Sequence, residues 1–153
     1  MFVWRIAKRA RALDRSGFGA SIKGQRWNSA NIPAIYAGLT PEIAALEKLV
    51  HTGSILPLDL VLVRIELPDD KALYVTPDHG ALPTGWHALP GSPSAASNGD
   101  AFLLKGAQLG LIVPSAVMPE ASNIIINLGH PTMTMVTMVV IREFTFDPRL
   151  RVG

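Results

Sequence analysis

The 153-residue chain contains no cysteine. A disulfide framework, a thiolate metal site and a cysteine nucleophile are therefore excluded, and the absence suits a reducing, cytoplasmic compartment. Charge is scarce too. Only 17% of residues are charged, and 14 Lys and Arg against 12 Asp and Glu leave a net charge of +2, too little for a general phosphate-binding surface. Direct contact with nucleic acid is not expected. Long apolar runs are also missing: Met133 to Ile141 is broken by Thr134 and Thr137 and falls well short of the roughly 20 residues of a membrane-spanning helix. The N-terminal stretch mixes Arg5, Lys8, Arg9 and Arg11 with apolar residues, unlike the uninterrupted apolar core of a signal peptide. A soluble protein without membrane attachment is the expectation. The four histidines, His51, His79, His87 and His130, are scattered and form no His-x-x-x-His pair, so no metal centre is expected. Neither a Gly-x-Gly-x-x-Gly turn nor a Walker loop is present.

What the chain has is a core: 48% of its residues are hydrophobic, enough for residues 1–153 to form one domain. Its 12 prolines and 13 glycines cut it into short runs without a repeat. Strands are predicted at Val3 to Ile6, Ala34 to Ala37, Leu58 to Leu67, Leu109 to Val113, Ile124 to Asn127 and Val136 to Phe146. In the third, Val61, Val63, Ile65 and Leu67 alternate with Arg64 and Glu66, so one face is buried and the other partly wet. The clearest helix is Pro41 to His51, with Thr40 as its cap, Pro41 at its first position, Glu42 near its positive end and Gly53 as its stop. Short helices are predicted at Lys8 to Leu13 and Asp100 to Gly106, with Ser16 to Asn31 a loop and Pro68 to Gly99 loops around one short helix. The sum is an α+β domain with a mixed, mainly antiparallel sheet.

Glu47 stands out among the chemical groups. Ile43, Leu46 and Val50 form the apolar stripe of the 41–51 helix, and Glu47 falls on the edge of that stripe, where a carboxylate needs a partner. It snorkels to solvent, pairs structurally with an arginine, or belongs to a site. His51, one turn on, can hydrogen-bond it. Arg26, between Gln25 and Trp27-Asn28 in a flexible stretch, offers a planar fork that matches a pyrophosphate or carboxylate, or stacks on Trp27 to pin the loop. Tyr36 can stack a flat ring or serve as core packing. Ser115 has no Gly-x-Ser-x-Gly elbow, so it is read as a hydrogen-bonding group rather than a nucleophile.

Eight blocks stand in the order and spacing of a known domain. They are Trp4-Arg5-Ile6, Gly24-Gln25-Arg26-Trp27-Asn28, Ala34-Ile35-Tyr36, Ala45 to His51, Leu82-Pro83-Thr84-Gly85-Trp86, Gly99-Asp100, Val113 to Val117 and Asn127-Leu128-Gly129-His130-Pro131. Together they resemble the RES domain, the toxin of RES–Xre toxin–antitoxin systems, over nearly the whole chain. The resemblance implies a fold similar to ADP-ribosyltransferase toxins and an activity that consumes NAD+ as substrate, by hydrolysis or phosphorolysis of the nicotinamide–ribose bond or by ADP-ribosyl transfer to a protein, with no separate cofactor. It maps the family's functional residues onto Arg26, Tyr36, Glu47 and Ser115. Glu47 would stabilise the oxocarbenium-like charge on the ribose, Arg26 would hold phosphate oxygens, Tyr36 would stack on nicotinamide or ribose, and Ser115 would orient the substrate. Trp27, Asn28 and Asn127 are further expected NAD+-binding positions. One departure is that Ser94-Ala95-Ala96 stands where the family often has Ser-Thr-Gln. The implied partner is an Xre-type antitoxin that blocks the pocket.

Two other classes of function stand beside this one. An RNA-targeting toxin is disfavoured by the low net charge and the lack of a basic stripe with interleaved aromatics. A non-catalytic interaction domain would have Arg26 and Glu47 pair to hold the loop to the helix. The apolar Met133 to Val140 run is compatible with a homodimer interface.

Overall fold

A computed structural model describes residues 1–150. Seven strands, β1 (Phe2–Lys8), β2 (Ile35–Gly38), β3 (Leu60–Glu66), β4 (Tyr74–Val75), β5 (Gly110–Pro114), β6 (Ser122–Ile126) and β7 (Thr137–Phe144), form one sheet in the order β4-β5-β6-β2-β1-β3-β7. Only the β4–β5 pair is parallel, so the sheet is mixed and mainly antiparallel as expected. Three helices, α1 (Phe18–Lys23), α2 (Pro41–Val50) and α3 (Pro93–Lys105), complete the α+β domain.

Period-two alternation decides the sheet's two faces. Val61, Val63 and Ile65 of β3 join Val3, Ile35, Ala37, Ile124 and Ile126 in the principal core. On the other face, Leu60 and Leu62 pack with Ile6 and Phe146, with Ala45 and Leu49 of α2 laid against them. The face of β3 expected to be partly wet is so at Arg64 and Glu66, and the Arg64 guanidinium sits 4.5 Å from the Phe2 ring centre. Farther along that face Ile125, Leu111 and Val113 meet Ala95 and Leu103 of α3 and the Trp27 ring. Both long helices thus cover the same face, and the floor between them is β2 and β6.

The sheet is split between β1 and β2. Those strands pair at a single position, Trp4 with Gly38, whereas β1 and β3 pair over seven. An added Cβ on Gly38 would come within 2.8 Å of the Ala44 backbone nitrogen, so glycine is what lets α2 lie close at the point where the strands part.

Several local expectations are corrected. The predicted helix from Lys8 to Leu13 is a 3-10 turn at Arg9–Arg11, because β1 runs on to Lys8. The predicted 16–31 loop contains α1, a six-residue helix that buries only Ala20. The helix predicted from Asp100 is the end of a longer one. Ser92 caps α3 by accepting from the Ala95 N–H at 3.3 Å and Pro93 opens it, a start signal that a proline-rich stretch disguises as a breaker. In α2 the inward stripe is Ile43 and Ala44, while Val50, expected to be buried, is 51% exposed; Glu47, one turn after Ile43 and Ala44, takes the inward place instead. Of the 133–140 run, Pro131–Met135 is a 3-10 segment, Val136 is buried, and Val139 is exposed on β7 at the end of the sheet.

Candidate active site

The helix α2 forms for local reasons. Thr40 Oγ1 accepts from the Ile43 N–H at 3.3 Å, Pro41 presets the first turn and Glu42 lies at its positive end. Its inward face carries Glu47 over β6. There Glu47 Oε1 accepts hydrogen bonds from Ser115 Oγ at 2.7 Å and Asn123 Nδ2 at 2.6 Å. The side chain stays 23% exposed, with Oε2 3.9 Å from His51 Nδ1. One carboxylate oxygen is thereby fixed and the other left for a ligand. The expected His51 contact is made chiefly to the helix, since Nδ1 lies 2.7 Å from the Glu47 carbonyl oxygen.

Ser115 is fully buried just beyond β5. Its oxygen donates to Glu47 and accepts from the N–H groups of Val117 and Met118 at 3.0 and 3.1 Å. The hydroxyl therefore holds the carboxylate. Asn123, at the head of β6, was missed by sequence reasoning. The only signal was a polar residue preceding three isoleucines, on the same strand face as Ile125.

Tyr36, on β2, faces the opening between α2 and α3. Its hydroxyl donates to Asn28 Oδ1 at 2.7 Å and accepts from the Trp27 N–H at 3.1 Å, and burial raises its pKa well above the ordinary tyrosine value. Asn28 is itself buried, donating to the carbonyls of Ala20 and Ile32, both at 2.9 Å. Asn28 thus fixes the loop and the tyrosine.

Arg26 does not pair with Glu47. Its Nη1 donates to the carbonyls of Trp86 and Ala88 at 2.7 and 2.8 Å, while Nε and Nη2 make no hydrogen bond to a described residue. The ion pair on which the interaction-domain alternative rested is not formed. Trp27 is buried and stacked on Trp86, ring centres 6.3 Å apart.

Two residues of α3 hold this loop in place. Gly99 lies against it so closely that a Cβ there would fall 1.8 Å from the Trp27 carbonyl oxygen, and the Asp100 carboxylate accepts from the Ser29 N–H at 2.8 Å. Asn127 stands apart: buried, it donates to the Leu103 carbonyl at 3.2 Å and accepts from the Gly129 N–H at 3.0 Å, and it lines neither lobe of the cleft. Of the Ala95-Ala96 pair, Ala95 is in the core and Ala96 faces the cleft.

The cleft has two lobes that meet at Gln25, Tyr36, Glu47, His51 and Asn123. The larger, about 1050 Å³, runs past Arg26, Trp27, Leu89 and Ala96. The smaller, about 460 Å³, enters the split between β1 and β2. Glu47 stands where they join. The cleft of this α+β domain thus has a carboxylate fixed at the junction of its two lobes and a cation, Arg26, in the larger one.

Residues 2–147 match the RES domain family. The chain is 40% identical to the "Prs ADP-ribosylating toxin" of Sphingobium sp. (strain YBL2), over 96% of this chain and 94% of that one. It is 37% identical to "Toxin Res" of Pseudomonas putida, over 98% and 99%, and 33% identical to "Toxin Res" of Yersinia enterocolitica, over 99% and 100%. A chain in the crystal structure of the M. tuberculosis MbcT–MbcA toxin–antitoxin complex has the same fold, with a TM-score of 0.66 over 97% of this chain and 85% of that one at 19% identity. The chain belongs to the RES domain family, and these relatives place it among that family's toxins. Among the described residues no helix is long and apolar enough to cross a membrane.

Proposed function

We propose that this protein is the toxin of a toxin–antitoxin pair and that it breaks the nicotinamide–ribose bond of NAD+ in the two-lobed cleft. The observation that carries the reading is the Glu47 carboxylate, held on one oxygen by Ser115 and Asn123 and open on the other at the junction of the lobes. When the bond to nicotinamide breaks, positive charge develops on the ribose, and a preorganised carboxylate stabilises it without reorganising. Nicotinamide departs with the bonding electron pair, which neutralises its ring. Arg26 offers the free Nε and Nη2 edge of its guanidinium to phosphate oxygens while Nη1 anchors it. The Tyr36 ring supplies a flat wall beside Glu47.

The test is a proton NMR time course of NAD+ with antitoxin-free protein, beside Glu47→Ala, with and without phosphate. Nicotinamide release by the wild type alone is the expected result. Intact NAD+ with a folded wild type overturns the reading. The phosphate arm separates phosphorolysis from hydrolysis.

ADP-ribosyl transfer to a protein is the second reading, supported by the name of the Sphingobium relative. It predicts labelled protein in a lysate given labelled NAD+. An antitoxin partner is supported by the complex in which the structural neighbour was solved. We take that partner to be of the Xre type and to cover the cleft.

A further inference from the structure

Breaking the nicotinamide–ribose bond leaves one proton to place. Nicotinamide departs as a neutral molecule, so a water or alcohol that bonds to the ribose in its stead must give up its O–H proton at the junction of the lobes. Gln25, Tyr36, Glu47, His51 and Asn123 line both lobes there. The amides of Gln25 and Asn123 are not bases. The Tyr36 hydroxyl is occupied by Asn28 and Trp27, and burial holds its pKa well above the ordinary tyrosine value. Glu47 and His51 remain. Glu47 Oε1 already accepts two hydrogen bonds, and a carboxylate that took the proton would surrender the charge with which it faces the ribose. His51 is placed differently. It ends α2, and its Nδ1 lies 2.7 Å from the Glu47 carbonyl oxygen. A carbonyl only accepts, so Nδ1 carries the hydrogen and Nε2 of the neutral ring carries the lone pair. Nε2 makes no hydrogen bond to a described residue. The ring stands beside the open side of the carboxylate, with Nδ1 3.9 Å from Glu47 Oε2, and it is largely exposed.

We propose that His51 is the general base of this site and that it serves a neutral O–H acceptor, water or an alcohol. The proposal rests on the NAD+-cleaving reading. The acceptor oxygen bonds to the ribose carbon as the bond to nicotinamide breaks, nicotinamide keeps the bonding pair, and the acceptor's proton passes to His51 Nε2 and from there to solvent. The helix carbonyl fixes the tautomer that leaves Nε2 free to act, and exposure of the ring lets the proton escape. An acceptor that is already an anion has no proton to lose and no use for His51.

The test is nicotinamide release in phosphate-free buffer by the wild type, His51→Ala and His51→Asn, each with and without azide, an anionic nucleophile that needs no base. His51→Asn keeps an N–H for the Glu47 carbonyl and so guards against a mere loss of the helix end. Both variants should lose about tenfold or more in kcat, on a scale of about 10²–10⁴ for base catalysis, with KM for NAD+ little changed. Azide should restore most of the lost release and yield ADP-ribosyl azide. A loss smaller than this, or one that azide does not restore, overturns the role. Methanol given to the wild type separates the two acceptors: a methyl ADP-riboside extends the base to alcohols, and ADP-ribose as sole product assigns it to water. Failure of the NAD+-cleaving reading shows separately, as intact NAD+ with the wild type.

Discussion

Ser115 Oγ lies 2.7 Å from Glu47 Oε1, joining residues 68 positions apart, and the same serine oxygen accepts two backbone N–H groups. Replacing it with alanine removes one of the carboxylate's two donors and orphans the Val117 and Met118 N–H groups. Ser115→Ala should lose about 1–3 kcal/mol of stability, the cost of leaving such groups unpaired. It should also lower kcat by about 10²-fold, the scale of a misplaced catalytic group. Denaturant unfolding and steady-state kinetics check the two parts, and Ser115→Thr, which keeps the hydroxyl, should recover most of the activity.

Asn123 is the second donor to the same oxygen. Asn123→Asp sets a carboxylate beside Glu47, and like charges oppose each other's ionisation. Asn123→Asp should therefore lower kcat further than Asn123→Ala, which removes the donor without adding a charge. An Asn123→Ala kcat equal to that of the wild type would remove Asn123 from the positioning of Glu47.

Gly99 has no space for a side chain, since its Cβ would meet the Trp27 carbonyl at 1.8 Å. Gly99→Ala must push the 24–29 loop off α3 or strain the helix, and overpacking of this kind costs about 1–3 kcal/mol. Because Arg26 and the Tyr36 hydroxyl's partners sit on that loop, the variant should raise KM for NAD+ along with its loss of stability. A thermal melt and a KM measurement test the coupling.

The two tyrosines of the chain should both titrate late. Burial, followed by Asp69 and Asp70, pushes Tyr74 up to about 12, and burial pushes Tyr36 higher. Unfolded tyrosines ionise near pH 10. The native state therefore binds more protons than the unfolded state above that pH, and stability falls as pH rises from about 10 to 12. Tyrosinate absorbance of the folded protein should stay low at pH 10 and rise only on alkaline unfolding. A tyrosine titrating normally in the native state would contradict this burial.

Much of this protein was written locally. The cap and first-turn proline of α2, the alternation of β3 and the single-core composition each rest on a few adjacent residues, so they could be read directly. The odd position of Glu47 was legible for the same reason, as was the family pattern in eight short blocks. What depends on the far side of the molecule is not legible in this way. Helical spacing puts Val50 on the apolar stripe but cannot say how far along its length a helix stays covered. The start of α3 reads as loop because a proline stops or opens a helix according to what caps it. Asn127 sits in a block of the family pattern, yet its amide is bound to the α3 carbonyl of Leu103 and not to the cleft.

The sequence by itself determined six of the seven strands, all but the two-residue β4, and which helix would carry the carboxylate, because those follow from residue spacing and end chemistry. The tertiary structure alone decided that Ser115 and Asn123, 68 and 76 residues away, share one oxygen of Glu47, and that Arg26 is anchored on the 86–88 turn. It alone parted β1 from β2. The reason is that strand order and side-chain direction across a sheet are set by long-range pairing, and no local run of residues encodes which distant group will face it.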